Sequence, residues 1–389
     1  MKSIIFLSDS NLDNPILHKQ GLPLLIHLSK MGYKVFFVFF IRNNEKISAF
    51  SKHTISSYSQ SIHFIEIKLN SIKIIPTWAL YYFLGFMSLR KIISENRIKI
   101  LHARSLLPAT LSYLLKIFNY KKIKVIYDNR GVYIDEMIEI DKWKKNGIKE
   151  KIFRQIEYQV ERYCDKIVVV SNYFKTYLLK KHKKDITFKI DVISNRTLID
   201  MNIDLTQKYS NKTVLVYSGS CAIWQNSFEL KKLFTQALNI FDDVIFKIIS
   251  YEPDKFQNLF SADSALLDKI NIDSVEPQKV KDELRKCNCG ILLRENNLIN
   301  NVSSPLKFAE YLAAGLPVLL SEGIGDTESI INEYNVGVVI KNNNYIVALK
   351  ELKQLLNDKD LYHRCLRIAD KEFNIDFSFK QYQEIYDEL

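Results

Sequence analysis

The chain has 389 residues, 47% hydrophobic and 25% charged, with only 11 glycines and 8 prolines. That length exceeds one ordinary core and predicts two domains, and the few glycines and prolines argue against long low-complexity or linker regions. Lys and Arg outnumber Asp and Glu by 55 to 44, a formal charge of +11, which favours anionic partners: phosphorylated substrates, nucleic acid or an anionic membrane.

In chain order, "SIIFLS" (3–8) reads as a first β-strand, its apolar run being too short for a secretion signal. "GLPLLIHLSKMG" (21–32) predicts a helix ending at Gly32, and "YKVFFVFFI" (33–41) a strand covered on both faces. The most apolar segment, "IKIIPTWALYYFLGFMSLRKII" (72–93), is interrupted by Pro76, and its uncharged core is shorter than a bilayer requires. It predicts a buried or amphipathic helix. Trp78, Tyr81, Tyr82 and Phe83, followed by Arg90 and Lys91, would also suit a membrane interface. "IKILHARS" (98–105), "KIKVIYDNRG" (122–131), "DKIVVVSN" (165–172) and "KIDVISN" (189–195) continue the strand pattern with helices between them. The one tight basic run is "LKKHKKD" (179–185).

The polar stretch 195–213 is the best boundary candidate. Alternation then restarts with "VLVYSGS" (214–220), "VIFKIIS" (244–250), "KINIDSV" (269–275), "CGILLRE" (289–295), "PVLLSE" (317–322) and "VGVVIK" (336–341), and helices close the chain. Two successive blocks of strand–helix alternation predict two doubly wound α/β domains, 1–200 and 210–371. In such sheets ligands sit beyond the carboxyl ends of the strands.

At those ends the first block offers Gln20 and Gly21 in a long polar loop that lacks the dinucleotide glycine fingerprint. It also offers His102 and Arg104 in "LHARS" and Asp128 and Arg130 in "YDNRG". Two readings of these four stand side by side: structural ion pairing, and a polar wall that orients an acceptor hydroxyl. In the second block Gly219 and Ser220 would let backbone amides approach a phosphate.

Arg294 emerges from the apolar strand "ILLREN" (291–296), and a helix follows that begins near Pro305 with Ser304 as its expected N-cap. Lys307 sits in the first turn, against the helix dipole. Two cations and a helix N-terminus converging on one point make an anion site, and a pyrophosphate would remove the dipole objection. Glu310 lies on the same helical face. It either pairs with Lys307 or, as a carboxylate beside a phosphate site, accepts from a ribose diol. Gly315 stops this helix, and "SEGIGD" brings Gly323, Gly325 and Asp326 towards the same ligand.

The five cysteines, Cys164, Cys221, Cys287, Cys289 and Cys365, are odd in number and widely spaced, which predicts buried free thiols in a reducing cytosol and no zinc site. No nucleic-acid recognition motif accompanies the basic charge, so no nucleic acid is expected as partner.

With these residues in view, "LLRENNLINNVSSPLKFAEYLAAGLPVLLSEGIGD" resembles the nucleotide-sugar site of GT-B glycosyltransferases, in particular the retaining family 4 group of bacterial polysaccharide assembly. "VIYDNRGVYIDE", "ERYCDKIVVVSNYFKTYL" and "VYSGS" resemble further segments of that group, and "FSFKQYQEIYDEL" its tail helix, which implies that 372–389 pack back on the first domain. The resemblance implies two facing Rossmann-like domains, an acceptor-binding first and a donor-binding second. Arg294 and Lys307 would neutralise the departing diphosphate and Glu310 would bind the ribose. Ser220, Asn301, Ser303, Ser304, Gly325 and Asp326 would complete the donor site, with no metal and no cofactor beyond a UDP- or GDP-linked donor.

The chain departs from the family's E-x7-E pattern, because Val302 stands where the sugar-contacting first glutamate would be. The usual basic residue after the first strand of the second domain is also missing, and so is the N-domain strand-end histidine, replaced in "YDNRG" by Asp128 and Arg130. The implied function is glycosyl transfer to a glycan or polyprenyl-linked acceptor, in the cytoplasm or at the inner face of the cell membrane. A sugar-nucleotide epimerase of the same fold, or a non-catalytic scaffold subunit, stands as the alternative.

Overall fold

The computed structural model describes residues 2–42, 45–70, 77–118, 122–183, 185–205, 208, 212–221, 226–261 and 264–389. Pro76, the rest of 72–76 and Lys184 therefore lie outside the described residues. So do residues 222–225 of the loop after "VYSGS".

The chain forms two units: Met1–Ile193 with Asp376–Leu389, and Ser194–Ile375. The polar stretch 195–213 thus opens the second unit.

In the first unit seven parallel strands run in the order β3-β2-β1-β4-β5-β6-β7. They are β1 (Ser3–Ser8), β2 (Lys34–Arg42), β3 (Ile62–Leu69), β4 (Ile100–Arg104), β5 (Lys124–Asn129), β6 (Lys166–Val169) and β7 (Ile190–Val192). β1 is buried along its whole length and β2 nearly so, as their continuous apolar runs require. The edge strand β3 and the helix Ala49–Tyr58 before it are additions to the sequence reading. Apolar side chains of β1 and β2 pack with Leu25 and Leu28 of the helix Leu22–Lys30 and with Tyr382, Ile385 and Tyr386 of the last helix, Ile375–Glu388.

In the second unit six strands run β10-β9-β8-β11-β12-β13. They are β8 (Thr213–Ser218), β9 (Val244–Ile249), β10 (Ile270–Asp273), β11 (Cys289–Leu292), β12 (Val318–Ser321) and β13 (Gly337–Ile340). Both sheets reverse direction of growth once, between β1 and β4 and between β8 and β11. These are the switch points where doubly wound sheets open a crevice at their carboxyl edges.

The segment 72–93 is represented by the helix Thr77–Asn96, which buries Leu80, Tyr81, Gly85, Leu89, Ile92 and Ile93. Trp78, Phe83 and Met87 remain exposed on it. Among the described residues no helix is long and apolar enough to cross a membrane. The basic run 179–185 is partly internal. Lys181 pairs with Glu157 at 2.6 Å and Glu161 at 2.9 Å, and the ring of His182 meets Glu161 at 2.6 Å. Four cysteines are buried free thiols, whereas Cys221 is only half-buried.

Candidate functional site

The second unit builds its site at the β8/β11 switch point. Arg294 lies two residues beyond the end of β11. Its backbone is held on both sides by one hydroxyl at the end of β12: Arg294 N–H donates to Ser321 Oγ (2.7 Å), and Ser321 Oγ–H donates to the Arg294 carbonyl (2.8 Å). The strand end is therefore fixed where its side chain departs.

The helix Leu306–Ala313 is pinned to the same place from inside. Tyr311, fully buried, accepts a hydrogen bond from Ser218 N–H at the end of β8 (2.9 Å) and donates to the Ile291 carbonyl of β11 (3.2 Å). One phenol thus ties the two strands that flank the switch point to the helix. Its ring lies so close over Gly290 that a Cβ there would be 2.4 Å from a ring carbon, so only glycine fits.

One turn back on this helix, Lys307 projects over the face of Tyr217, with Nζ 5.2 Å from the ring centroid. Burial pushes the Lys307 ammonium well below the usual lysine pKa, the Arg294 cation adds to that push, and the Glu310 carboxylate opposes it. Burial also lowers Arg294, against the ring oxygens of Tyr217 and Tyr311. The helix carries no side-chain cap, its N-cap residue being Pro305. Ser304, the expected cap, is used elsewhere: Asn195 donates to its hydroxyl from the backbone (3.1 Å) and to its carbonyl from the side chain (2.6 Å). The first-turn amides of the helix are therefore not covered by a serine oxygen.

Two loops clasp each other beside these cations. Gly325 N–H donates to the Asn300 carbonyl (3.2 Å), and Ser303 Oγ donates to that same carbonyl (2.7 Å). With its amide oriented to satisfy both atoms, Asn301 donates to Asn296 Oδ1 (3.0 Å) and to the Gly323 carbonyl (2.6 Å). Gly323 (φ +77°) and Gly325 (φ +47°) take the left-handed turns that let this clasp close. Asp326 starts the helix Thr327–Tyr334 without capping it through its side chain. Val302 is completely buried. The Gly219 amide, read from sequence as a phosphate donor, is already spent on the Ile249 carbonyl (2.9 Å), extending the β8/β9 ladder. Ser220 is buried, and its carbonyl accepts from the Tyr217 hydroxyl (2.8 Å).

In the first unit the four polar strand-end residues do come together, and they gather around one carboxylate. Asp128 is fully buried, with Arg130 Nε at 2.7 Å, Arg104 Nη1 at 3.2 Å and His102 Nε2 at 3.3 Å. The last helix completes the cluster. Tyr386 meets His102 Nδ1 at 2.5 Å, and Tyr382 donates to Asp128 (3.4 Å) and is bonded by Arg130. Burial alone would raise the Asp128 pKa, but Arg130, His102 and Arg104 hold it far below the ordinary carboxylate value. His102 is pushed down by its own burial. With no exposed surface on His102 or Asp128, these two act as buried braces, while Arg104 and Arg130 keep a small accessible fraction. Gln20 and Gly21 fall on a single π-helical turn, Leu17–Gly21. Gly21 is buried against Leu17, where a Cβ would come within 2.6 Å.

Sequence reasoning missed Tyr217, Tyr311, Ser321, Tyr382 and Tyr386. Tyr217 and Ser321 each stand at or beside a strand's carboxyl end, which is the signal that would have found them. Among the described residues no three His, Cys, Asp or Glu side chains gather into a metal-binding group.

Two doubly wound parallel units in one chain, with the last helix returned to the first and a cationic pair at the second switch point, define the GT-B class. The chain belongs to the GT-B glycosyltransferases: residues 24–195 match the family model described as glycosyltransferase family 4, and residues 201–372 match that of glycosyl transferases group 1. Solved structures agree in fold. A glycosyltransferase from Rickettsia africae ESF-5 is similar over 100% of this chain and 98% of its own, with a TM-score of 0.71 at 18% identity. The lipopolysaccharide outer core galactosyltransferase WaaB, solved in its apo form, is similar over 100% of both chains (TM-score 0.72, 12% identity). The Anabaena protein HepE, solved in complex with UDP, is likewise similar over 100% of both (TM-score 0.71, 11% identity). Sequence comparison with curated proteins gives no match.

Proposed function

We propose that the second unit binds a nucleoside-diphosphate sugar, with its diphosphate between Arg294 and Lys307 and its ribose diol on Glu310, and that the enzyme transfers the sugar with retention to a glycan or lipid-linked acceptor. The observation that carries this is the convergence of two buried cations at the switch point, Arg294 just past β11 and Lys307 in the first turn of Leu306–Ala313. Two desolvated cations side by side at a switch point favour an anion between them. The uncapped first turn of Leu306–Ala313 adds unopposed amide dipoles to the same place. Asn301, Ser303, Ser304, Gly325 and Asp326 would contact the donor from the flanking loops.

In the proposed reaction the anomeric carbon–phosphate oxygen bond breaks while the acceptor oxygen bonds that carbon from the same face. The acceptor proton passes to the departing phosphate oxygen, so no protein base is required. Catalysis then consists of charge stabilisation by Arg294 and Lys307 together with positioning, and it needs no metal ion. Val302, buried and apolar, offers nothing to the donor sugar, so its hydroxyls are read from the neighbouring loop.

The Anabaena relative that holds UDP supports a uridine diphosphate donor. The relative that builds lipopolysaccharide outer core supports a role in bacterial surface polysaccharide synthesis. That role would place the enzyme at the cytoplasmic face of the membrane, where exposed Phe83 and Met87 would meet the lipid. The test is calorimetry with UDP, GDP and CMP, followed by a nucleotide-sugar panel with product mass spectrometry and EDTA controls. Binding of one nucleotide and an EDTA-insensitive glycosylated product are expected. Failure of all three nucleotides to bind sinks the reading.

A further inference from the structure

The first unit has a second cavity that neither the donor site nor the Asp128 cluster uses. It encloses about 350 Å³ at the carboxyl edge of the sheet, and its walls are aromatic: Trp78, Tyr81, Tyr82, Tyr133, Trp143 and Phe153. That volume falls in the range of small-molecule sites, roughly 300 to 1,000 Å³. Trp143 is almost buried and is fixed by Phe153 (ring centroids 4.8 Å apart) and by Tyr133 at an edge-to-face 86°. The Tyr81 hydroxyl is buried without a hydrogen-bond partner among the described residues. A purely apolar occupant would leave that hydroxyl unsatisfied, whereas a hydroxylated one would pair with it.

Charged side chains border this cavity. Arg42 lines it and also lines an adjoining hollow of about 310 Å³ that carries Lys46, Lys52 and Lys68 against Glu45 and Glu66. Lys149 reaches over Trp143, 4.3 Å from its ring centroid. Asp9, directly after β1, is the acid nearby, close enough to Tyr81, Tyr133 and Arg42 to interact with each electrostatically. The strand register pairs Ser8 with Arg104 and so sets Asp9 beside Ser105, whose φ of +80° marks a strained turn. An occupant therefore meets aromatic faces and the two cations Arg42 and Lys149 in the lining, with Asp9 near Tyr81.

We propose that this cavity is a subsite for an acidic saccharide. The apolar C–H face of the sugar ring would pack on Trp78 and Tyr133, and hydroxyls would turn to Tyr81 and Asp9. Its carboxylate or phosphate would take Arg42 and Lys149, since charge-assisted contacts to a guanidinium are the strong ones. A neutral ring would leave the cationic rim unmatched. The inference rests on the reading of the first unit as the acceptor side and adds to it the acceptor's charge.

The experiment is equilibrium titration of the whole protein with glucuronate, glucose 6-phosphate and methyl glucoside. Arg42 and Trp78 are both exposed, so Arg42→Ala and Trp78→Ala are expected to fold. At least one acidic sugar is expected to bind tenfold or more tighter than methyl glucoside, and which of the two binds identifies the anion as carboxylate or phosphate. Arg42→Ala should abolish that preference, Trp78→Ala should weaken binding several-fold, and Lys307→Ala should change neither. Equal binding of methyl glucoside, no binding of any sugar, or a loss confined to Lys307→Ala overturns the proposal. UDP titrated into the same protein is a separate arm: its failure counts against the donor reading alone.

Discussion

Lys307 holds its ammonium 5.2 Å above the centre of the Tyr217 ring, at the junction of a helix start and a strand end. The ring face offers partial compensation for a cation that burial and Arg294 both disfavour. The pair is thus a cation held by packing against an aromatic face, with the Glu310 carboxylate also favouring its charge.

Replacing Lys307 by alanine should therefore weaken UDP binding at least tenfold, a loss of about 1.4 kcal/mol or more. Glu310→Gln should weaken UDP several-fold and leave inorganic pyrophosphate binding unchanged, because only the former carries a ribose. Calorimetric titration of both ligands separates the two roles.

In the proposed reading the same group should give UDP binding a pH dependence. Lys307 has a folded pKa well below its ordinary 10.5. A bound diphosphate restores it upward, so between the free and bound values binding takes up a proton and weakens as pH rises. Folding behaves oppositely in that region, since the unfolded chain binds more protons and stability increases with pH towards 10.5. Titration in buffers of different ionisation heat measures the uptake. It should vanish in Lys307→Ala.

Ser321→Ala removes both hydrogen bonds that fix the Arg294 backbone. At about 1 kcal/mol per bond, UDP affinity should fall five- to thirtyfold although Ser321 touches no ligand in this reading. An affinity equal to wild type would show that Arg294 does not depend on the clasp.

Gly290→Ala would drive a methyl into the Tyr311 ring at 2.4 to 2.8 Å. Overpacking of this kind costs about 1–3 kcal/mol. Thermal unfolding should record the loss, and Gly290→Ala combined with Tyr311→Leu should recover part of it. Strict additivity in that double-mutant cycle would refute the contact.

In the first unit, Asp128→Asn leaves two arginines without their buried carboxylate and should destabilise by about 3–5 kcal/mol. Wild-type stability from this group is complete above the unfolded aspartate value of 3.8 and is lost as pH falls through the lower folded value. Acid unfolding followed by circular dichroism should lack that component in Asp128→Asn.

Alternation of apolar runs was enough to read every strand of both sheets except β3, because buried parallel strands leave little freedom in composition. β3 escaped notice since His63, Glu66 and Lys68 interrupt its apolar run at the sheet edge. The cationic site was legible because Arg294, Lys307 and Glu310 lie within one strand–helix unit. What stayed hidden depends on partners remote in sequence. Ser304 is claimed by Asn195, and His102 is completed by Tyr386, 284 residues away. Tyr311 made sense only once β8 and β11 proved to be neighbours.

The last helix also sets an order of events during synthesis. Tyr382, Ile385 and Tyr386 complete the apolar core of β1 and β2, and Tyr386 supplies the hydroxyl that His102 requires. All the residues of Ser194–Ile375 leave the ribosome before they do. The core of the half translated first therefore stays incomplete until this helix emerges. Until then that half waits with a groove open along its sheet, a stage at which a chaperone or a protease would find it.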